Sequence, residues 1–220
     1  MESKYSKETK KILDDLNIIV DGHFVFNSGL HSGKYVNKDA LYPYASRTRK
    51  ICRYMAQTLS DHYSKLNIRV IVSPEKGGVP LSQYIADELT NVLGHEVLAF
   101  YLEKGPNKTF NFTRRYDKLL LDYLRSDESG ENPVIFVAED TFTSGDSVKR
   151  VIEKVLSLGE EIKIGGVIGI VNRGGVDAKK LEVDNFSWLL SLDLPSYKPE
   201  ECPLCKSNMG IDTTLGHGNK

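Results

Sequence analysis

Residues 133–148, Pro-Val-Ile-Phe-Val-Ala-Glu-Asp-Thr-Phe-Thr-Ser-Gly-Asp-Ser-Val, constrain this chain more than any other stretch. The β-branched and aromatic run 134–138 reads as a buried strand, and it breaks off at two adjacent carboxylates, Glu139 and Asp140. A turn containing Thr143, Ser144, Gly145, Asp146 and Ser147 follows, and Val148, Val151, Ile152, Val155 and Leu156 then recur at helical spacing. A strand that feeds a helix through a short hydroxyl- and glycine-rich turn aims backbone N–H groups and hydroxyls at one point. That point lies at the positive end of the helix, where a phosphate binds. Acids beside such a cradle suit the hydroxyls of a sugar rather than the phosphate. Taken alone, the pattern also fits an ordinary α/β loop.

The rest of the chain narrows the choice. Short apolar strands are predicted over 68–72, 96–102, 162–171 and 186–194. Helical stripes run through 6–20, through Ile51, Met55 and Leu59, and through Leu81, Ile85, Leu89, Val92 and Leu93, the last stopped by Gly94. This alternation predicts an α/β fold, a central mostly parallel sheet flanked by helices, in which ligands collect outside the carboxyl ends of the strands. Three more polar loops fall at those ends. Glu75, Lys76, Gly77 and Gly78 form either a second anion-binding turn or a common glycine junction. Lys104 and Lys108, with Arg115 close behind, form either a mobile basic lid or a solvated loop. Arg173, flanked by glycines, is placed to fork onto a planar carboxylate. Near the N-terminus, Ser28, Gly29, His31 and Tyr35 belong to a hairpin that either covers a cleft or lies on the surface.

Three units are expected: an N-terminal helix and hood hairpin over 1–45, an α/β core over 46–194, and a polar tail over 195–220, packed loosely or against a second subunit. With 29 basic and 30 acidic residues the net charge is -1, which gives no general attraction to nucleic acid or to an anionic membrane. No apolar run approaches the roughly 18 residues of a membrane span, and the polar first residues lack a signal-peptide core, so a cytoplasmic protein is expected. Cys202-Pro-Leu-Cys205 has the spacing of a metal knuckle, but no second cysteine pair exists and only His217 suggests itself as a third ligand. The expectation is therefore a reduced structural turn and no protein-bound metal.

The run Val-Ala-Glu-Asp-Thr-Phe-Thr-Ser-Gly-Asp-Ser resembles the phosphoribosyl-diphosphate (PRPP) motif of type I phosphoribosyltransferases. The order of the hairpin, the Ser73 loop, Leu102-Glu-Lys with Arg114-Arg115, Asn172-Arg173 and the Cys-Pro-Leu-Cys tail resembles the orotate-specific branch of that family. The resemblance implies the type I fold, a homodimer, and Mg2+-dependent transfer of a ribosyl 5-phosphate from PRPP to orotate with release of pyrophosphate. Thr143 to Ser147 would hold the 5-phosphate, and Glu139 and Asp140 the ribose hydroxyls. Lys104, assisted by Lys108 or Arg115, would close over the pyrophosphate, which the turn from Glu75 to Gly78, Lys76 included, would grip from the other side. Arg173 would pair with the orotate carboxylate beneath a hood of Ser28, Gly29, His31 and Tyr35. Mg2+ would be held mainly by PRPP and water. Another nucleobase as acceptor, or a non-catalytic PRPP-binding regulator, are the alternatives. Asp146 inside the phosphate turn, Thr141 and Phe142 in place of small aliphatics, and His31 where some relatives carry lysine are departures from the family pattern.

Overall fold

The computed structural model describes residues 1–26 and 29–215, and of Lys108 the backbone alone. The amphipathic helix α1 (Ser6–Asp15) buries Thr9, Ile12 and Leu13. The helix predicted over 6–20 is shorter than its apolar stripe, because Asn17 turns left-handed (φ 49°) and sends Ile19 and Val20 into strand β1 (Ile19–Val25). An antiparallel hairpin joins β1 to β2 (His31–Val36). Helix α2 (Ala45–Tyr63) then leads into the core: β3 (Asn67–Pro74), α3 (Gly78–Leu93), β4 (Leu98–Lys104), β5 (Phe110–Asn111), α4 (Tyr116–Arg125), β6 (Pro133–Phe142), α5 (Asp146–Leu156), β7 (Ile164–Asn172), α6 (Ala178–Leu181) and β8 (Phe186–Ser191). The chain closes with β9 (Ser196–Tyr197) and α7 (Pro203–Lys206).

The main sheet has the order β5-β4-β3-β6-β7-β8, parallel throughout except for the two-residue edge strand β5. Its strands are buried on both faces, and the pleat sorts their side chains. Ile71, Phe136, Ala138 and Ile168 pack with Ile51, Met55 and Leu59 of α2 and Leu81, Ile85 and Leu89 of α3. Val70, Val72, Ile135, Val137 and Val167 face the other way, onto Leu120 and Leu124 of α4 and Val148, Val151 and Val155 of α5. Helices cover both faces, as the alternating pattern predicts. Gly94 (φ 75°) ends α3, its N–H donating to the Thr90 carbonyl at 3.1 Å.

The Phe142 ring fills space that Gly169 leaves free. A Cβ on Gly169 would lie 2.1 Å from the Phe142 ring, which also meets Phe186 edge-on at 4.9 Å. The large side chain thus anchors the end of β6, directly before the hydroxyl turn.

A second, three-stranded sheet of order β1-β2-β9 forms the hood. Strand β9 pairs with β2 through His31–Tyr197 and Ser32–Ser196, and Ser32 Oγ donates to the Pro195 carbonyl at 3.0 Å. The tail is therefore docked on its own chain's hood rather than packed loosely. The basic segment after β4 carries backbone hydrogen bonds of its own. Gly105 N–H donates to Thr109 O at 2.8 Å, closing a small hairpin with β5. No helix among the described residues is long and apolar enough to cross a membrane.

Candidate active site

The parallel strands β3, β4, β6 and β7 all end on one edge, and each delivers a polar loop there. After β6, Gly145 adopts φ 83°, and a Cβ at that position would lie 2.8 Å from Leu181 Cδ2, so a left-handed turn and a close approach both call for glycine. The turn opens directly into α5. Thr143, Ser144 and Ser147 stand exposed around its N-terminus, a geometry that offers N–H groups and hydroxyls to an anion. Asp146 is exposed in the first helical turn, where a carboxylate is favoured by the helix dipole, and its N–H donates to Ser144 Oγ at 3.4 Å. Lys149, a candidate counter-ion for Asp146, instead pairs with Glu182.

The two acids have different surroundings. Asp140 is 2% exposed, and both its oxygens are engaged: Lys38 Nζ donates to Oδ1 at 2.9 Å and Tyr42 Oη to Oδ2 at 2.9 Å. Glu139 turns back to accept the Asp140 N–H at 2.9 Å. Burial works against the Lys38 ammonium, but Asp140 and Glu139 outweigh it and raise its pKa. Burial, followed by the Asp140 carboxylate, lifts the Tyr42 hydroxyl. Burial first and the Asp140 charge second push the Glu139 carboxyl up to about 8.

A carboxyl raised on folding holds its proton longer in the folded chain. Glu139 therefore contributes stability that is full below its ordinary value of 4.5 and is lost as pH rises through about 8. Glu139→Gln should flatten this decline and gain on the wild type by at least about 1 kcal/mol above pH 8, since each tenfold change in proton affinity is worth about 1.4 kcal/mol. Urea denaturation at a series of pH values reads the difference, and parallel stability profiles for the two proteins would count against a proton on Glu139.

Lys38 and Tyr42 carry no sequence signal, lying in a polar connection between the hairpin and α2 and reaching Asp140 only through the fold. Their nearest clue is the run Val36-Asn37-Lys38-Asp39 at the end of β2.

The loop after β3 closes against these groups. A Cβ on Gly77 would lie 2.3 Å from Asp140 Oδ2 and 2.4 Å from Tyr42 Oη, and one on Gly78 would lie 2.4 Å from Ser73 Cβ. Glu75 joins this loop to β4: its N–H donates to Leu102 O at 2.9 Å, and its Oε1 accepts the Lys104 N–H at 2.7 Å. The Glu75–Lys76 peptide is cis. The side chains of Lys76, Lys104 and Arg115 are exposed. Those of Lys108 and Ser28 lie outside the described residues.

At the end of β7, Asn172 accepts the Gly174 N–H at 3.2 Å and donates to Val176 O at 2.9 Å, fixing the turn that presents Arg173. The Arg173 guanidinium lies over the Phe26 ring of the hood, 4.4 Å from the ring centre, and Phe26 in turn lies 6.5 Å from Tyr35. Its Nε is buried with no hydrogen-bond partner among the described residues. Burial lowers the Arg173 pKa, against a smaller opposing effect of Tyr35. Gly29 (φ 78°) makes the hood turn, donating its N–H to Phe26 O at 2.8 Å. His31 corrects the sequence expectation. Its buried ring faces His23 and Cys205 at the tail, which removes it from the group around Arg173.

An anion cradle, two carboxylates, a glycine loop and an arginine with an unpartnered Nε thus share one sheet edge beneath a hood. Among solved structures, Mycobacterium tuberculosis orotate phosphoribosyltransferase in complex with Fe(III) dicitrate aligns with a TM-score of 0.60 at 20% identity, covering 84% of this chain and 95% of that one. Leishmania donovani UMP synthase aligns with a TM-score of 0.58 at 18% identity, and this chain spans 36% of its length. The architecture is that of the type I phosphoribosyltransferases. No protein-family model matches the chain. The orotate phosphoribosyltransferase of Caldicellulosiruptor bescii is 30% identical over 202 residues, 91% of this chain and 92% of that protein. The chain belongs to the orotate phosphoribosyltransferase family.

Proposed function

We propose that this protein transfers the ribosyl 5-phosphate of PRPP to a ring nitrogen of orotate and releases pyrophosphate. The bond between the anomeric carbon and pyrophosphate breaks with its electron pair leaving on oxygen, and the ring nitrogen supplies the pair for the new bond. Positive charge develops on the ribose and negative charge on the leaving group, so charge stabilisation and exclusion of water matter more than proton transfer. The observation that carries the choice of orotate is Arg173, a partly buried side chain whose buried Nε is unpartnered among the described residues and whose guanidinium lies over the Phe26 ring. A planar carboxylated base would satisfy that donor and lie against the hood aromatics.

In this reading Thr143, Ser144, Gly145 and Ser147, with the N-terminus of α5, hold the 5-phosphate. Glu139 and Asp140 face the ribose hydroxyls, and Lys38 and Tyr42 hold the Asp140 carboxylate in place. Lys76 and the Gly77–Gly78 backbone grip the pyrophosphate from β3, while Lys104, with Lys108 and Arg115, closes over it from the β4 hairpin. In this reading Mg2+ is carried by the substrate, and the carboxylates beside the site, Asp140 and Glu75, which already accept hydrogen bonds from Lys38, Tyr42 and the Lys104 N–H, fit a role toward its waters. Glu75 and Asp140 would hold its waters, and the bound ion would neutralise charge on the departing pyrophosphate. A cytoplasmic homodimer, with the Lys104 hairpin serving the partner's site, belongs to the same reading and rests on the family resemblance.

With PRPP and Mg2+, the purified protein should release pyrophosphate with orotate and not with uracil, adenine or hypoxanthine. Turnover with any of the other bases and none with orotate would reject the assignment.

A further inference from the structure

Four side chains outside this site converge where the tail meets the hood. His23 of β1, His31 of β2 and the two cysteines of the Cys-Pro-Leu-Cys turn place one potential ligand atom each within 4.8 Å of one another. His23 Nε2 lies 2.9 Å from His31 Nδ1, 3.6 Å from Cys202 Sγ and 3.7 Å from Cys205 Sγ, and His31 Nδ1 lies 3.3 Å from Cys205 Sγ. We propose that His23, His31, Cys202 and Cys205 form a structural zinc site that rivets the C-terminal turn to the hood.

The spacing approaches that of a coordination tetrahedron. With Zn–N of about 2.0–2.1 Å and Zn–S of about 2.3 Å, tetrahedral edges come to about 3.3 Å between nitrogens and about 3.6 Å between nitrogen and sulfur. The three nitrogen–sulfur distances lie within about 0.3 Å of these lengths, the nitrogen–nitrogen distance is about 0.4 Å shorter, and all four atoms stay within 4.8 Å of one another. Two thiolates and two imidazoles are a donor set for which zinc is the common redox-inert metal. Three of the four residues are buried: His23 is 2% exposed, His31 6% and Cys202 0%. Such a closed site, with four protein ligands and no open position, is structural rather than catalytic.

A supporting contact points the same way. His23 Nδ1 lies 2.7 Å from the Met209 carbonyl oxygen. A carbonyl only accepts, so Nδ1 carries the proton and Nε2 turns its lone pair into the cluster, the arrangement usual for a metal-bound histidine. Both cysteines are free thiols rather than a disulfide. Sequence spacing alone suggests His217 as a third ligand, but that residue lies outside those described, and the fold supplies two histidines from a hairpin some 170 to 180 positions earlier.

The site would have a mechanical consequence. Zinc would cross-link β1 and β2, the hairpin that carries Phe26 just past β1 and Tyr35 within β2, to the turn that follows β9. Together with the His23 O to Asp212 N–H bond at 2.8 Å, it would hold the hood at a fixed height over Arg173.

The test is elemental analysis of the full-length chain, expressed without a histidine tag and purified under reducing conditions without chelator, followed by exchange with Co2+. The expected result is one zinc per chain, and a cobalt form with the intense ligand-field bands of a tetrahedral site and thiolate-to-metal charge transfer. In the Cys202→Ser/Cys205→Ser double variant zinc content should fall to near zero and the charge-transfer bands should vanish. Folded wild-type protein that contains no zinc and takes up neither Zn2+ nor Co2+ after reduction would overturn the proposal. So would zinc retained in full by the double variant, or a Cys202–Cys205 disulfide in the freshly purified chain.

Discussion

Arg173→Ala is expected to lower kcat/KM for orotate by about a hundredfold or more while leaving PRPP affinity within about twofold of the wild type. A charge-assisted fork to a carboxylate in a partly desolvated site is worth about 2–5 kcal/mol on truncation. The partly buried guanidinium puts the loss near 3 kcal/mol, or roughly a hundredfold at about 1.4 kcal/mol per decade. The contact with the Phe26 ring disappears with it, which adds to the cost without touching the phosphate turn on β6. Arg173→Lys should recover little, since an ammonium keeps the charge but cannot present two parallel N–H groups or lie flat on a ring. Steady-state kinetics with orotate, together with calorimetric titration of PRPP, separates the two sites. A loss of less than about threefold with orotate would mean that Arg173 reads no carboxylate.

How much of this is legible in the sequence depends on whether the signal is local. The β-branched runs at 68–72 and 134–138 and the helical spacing of Val148, Val151, Ile152 and Val155 report their own environment, and these elements lie where the pattern puts them. Helix α4 escapes the sequence pattern. Its apolar residues Leu120 and Leu124 follow two residues in left-handed conformation, Arg114 and Arg115, and a basic, polar approach obscures its start. The early end of α1 depends on one left-handed asparagine, and the docking of the tail on a two-residue strand too short to carry a periodic pattern. Within the site, acids, hydroxyls and Arg173 stand in recognisable local contexts. Lys38 and Tyr42 do not, because what defines them is a hydrogen bond to a carboxylate about a hundred positions away. His31 shows the converse error. Its place in the hairpin is plain from its neighbours, but the direction of its side chain is set by His23 and the tail cysteines, and nothing near it in sequence reports the cysteines.

The second large effect is expected at Gly77, where the added methyl group, rather than backbone strain, should do the damage. Gly77 has φ -60° and ψ -31°, values any residue adopts, and replacing glycine there would by itself stabilise the chain by about 0.4–1 kcal/mol through the unfolded state. The new Cβ, however, would stand 2.3 Å from Asp140 Oδ2, 2.4 Å from Tyr42 Oη and 3.1 Å from Tyr42 Cζ. Neither neighbour can yield cheaply: Asp140 is almost fully buried, and the Tyr42 hydroxyl is bonded to it. Overpacking of this kind costs about 1–3 kcal/mol, so Gly77→Ala should lose on the order of 1–2 kcal/mol of stability on balance. Activity should fall further, by about a hundredfold, because relief of the clash displaces either the acid or the pyrophosphate loop by a distance that matters for alignment. Tyr42→Phe in the Gly77→Ala background removes the 2.4 Å contact and should restore part of the stability but little of the activity, since it also removes a hydrogen bond to Asp140. Urea denaturation and single-turnover kinetics on the three proteins resolve the two effects. Wild-type activity in Gly77→Ala would show that the loop after β3 does not close on the acid of β6 during turnover, and the division of labour between those two loops would have to be redrawn.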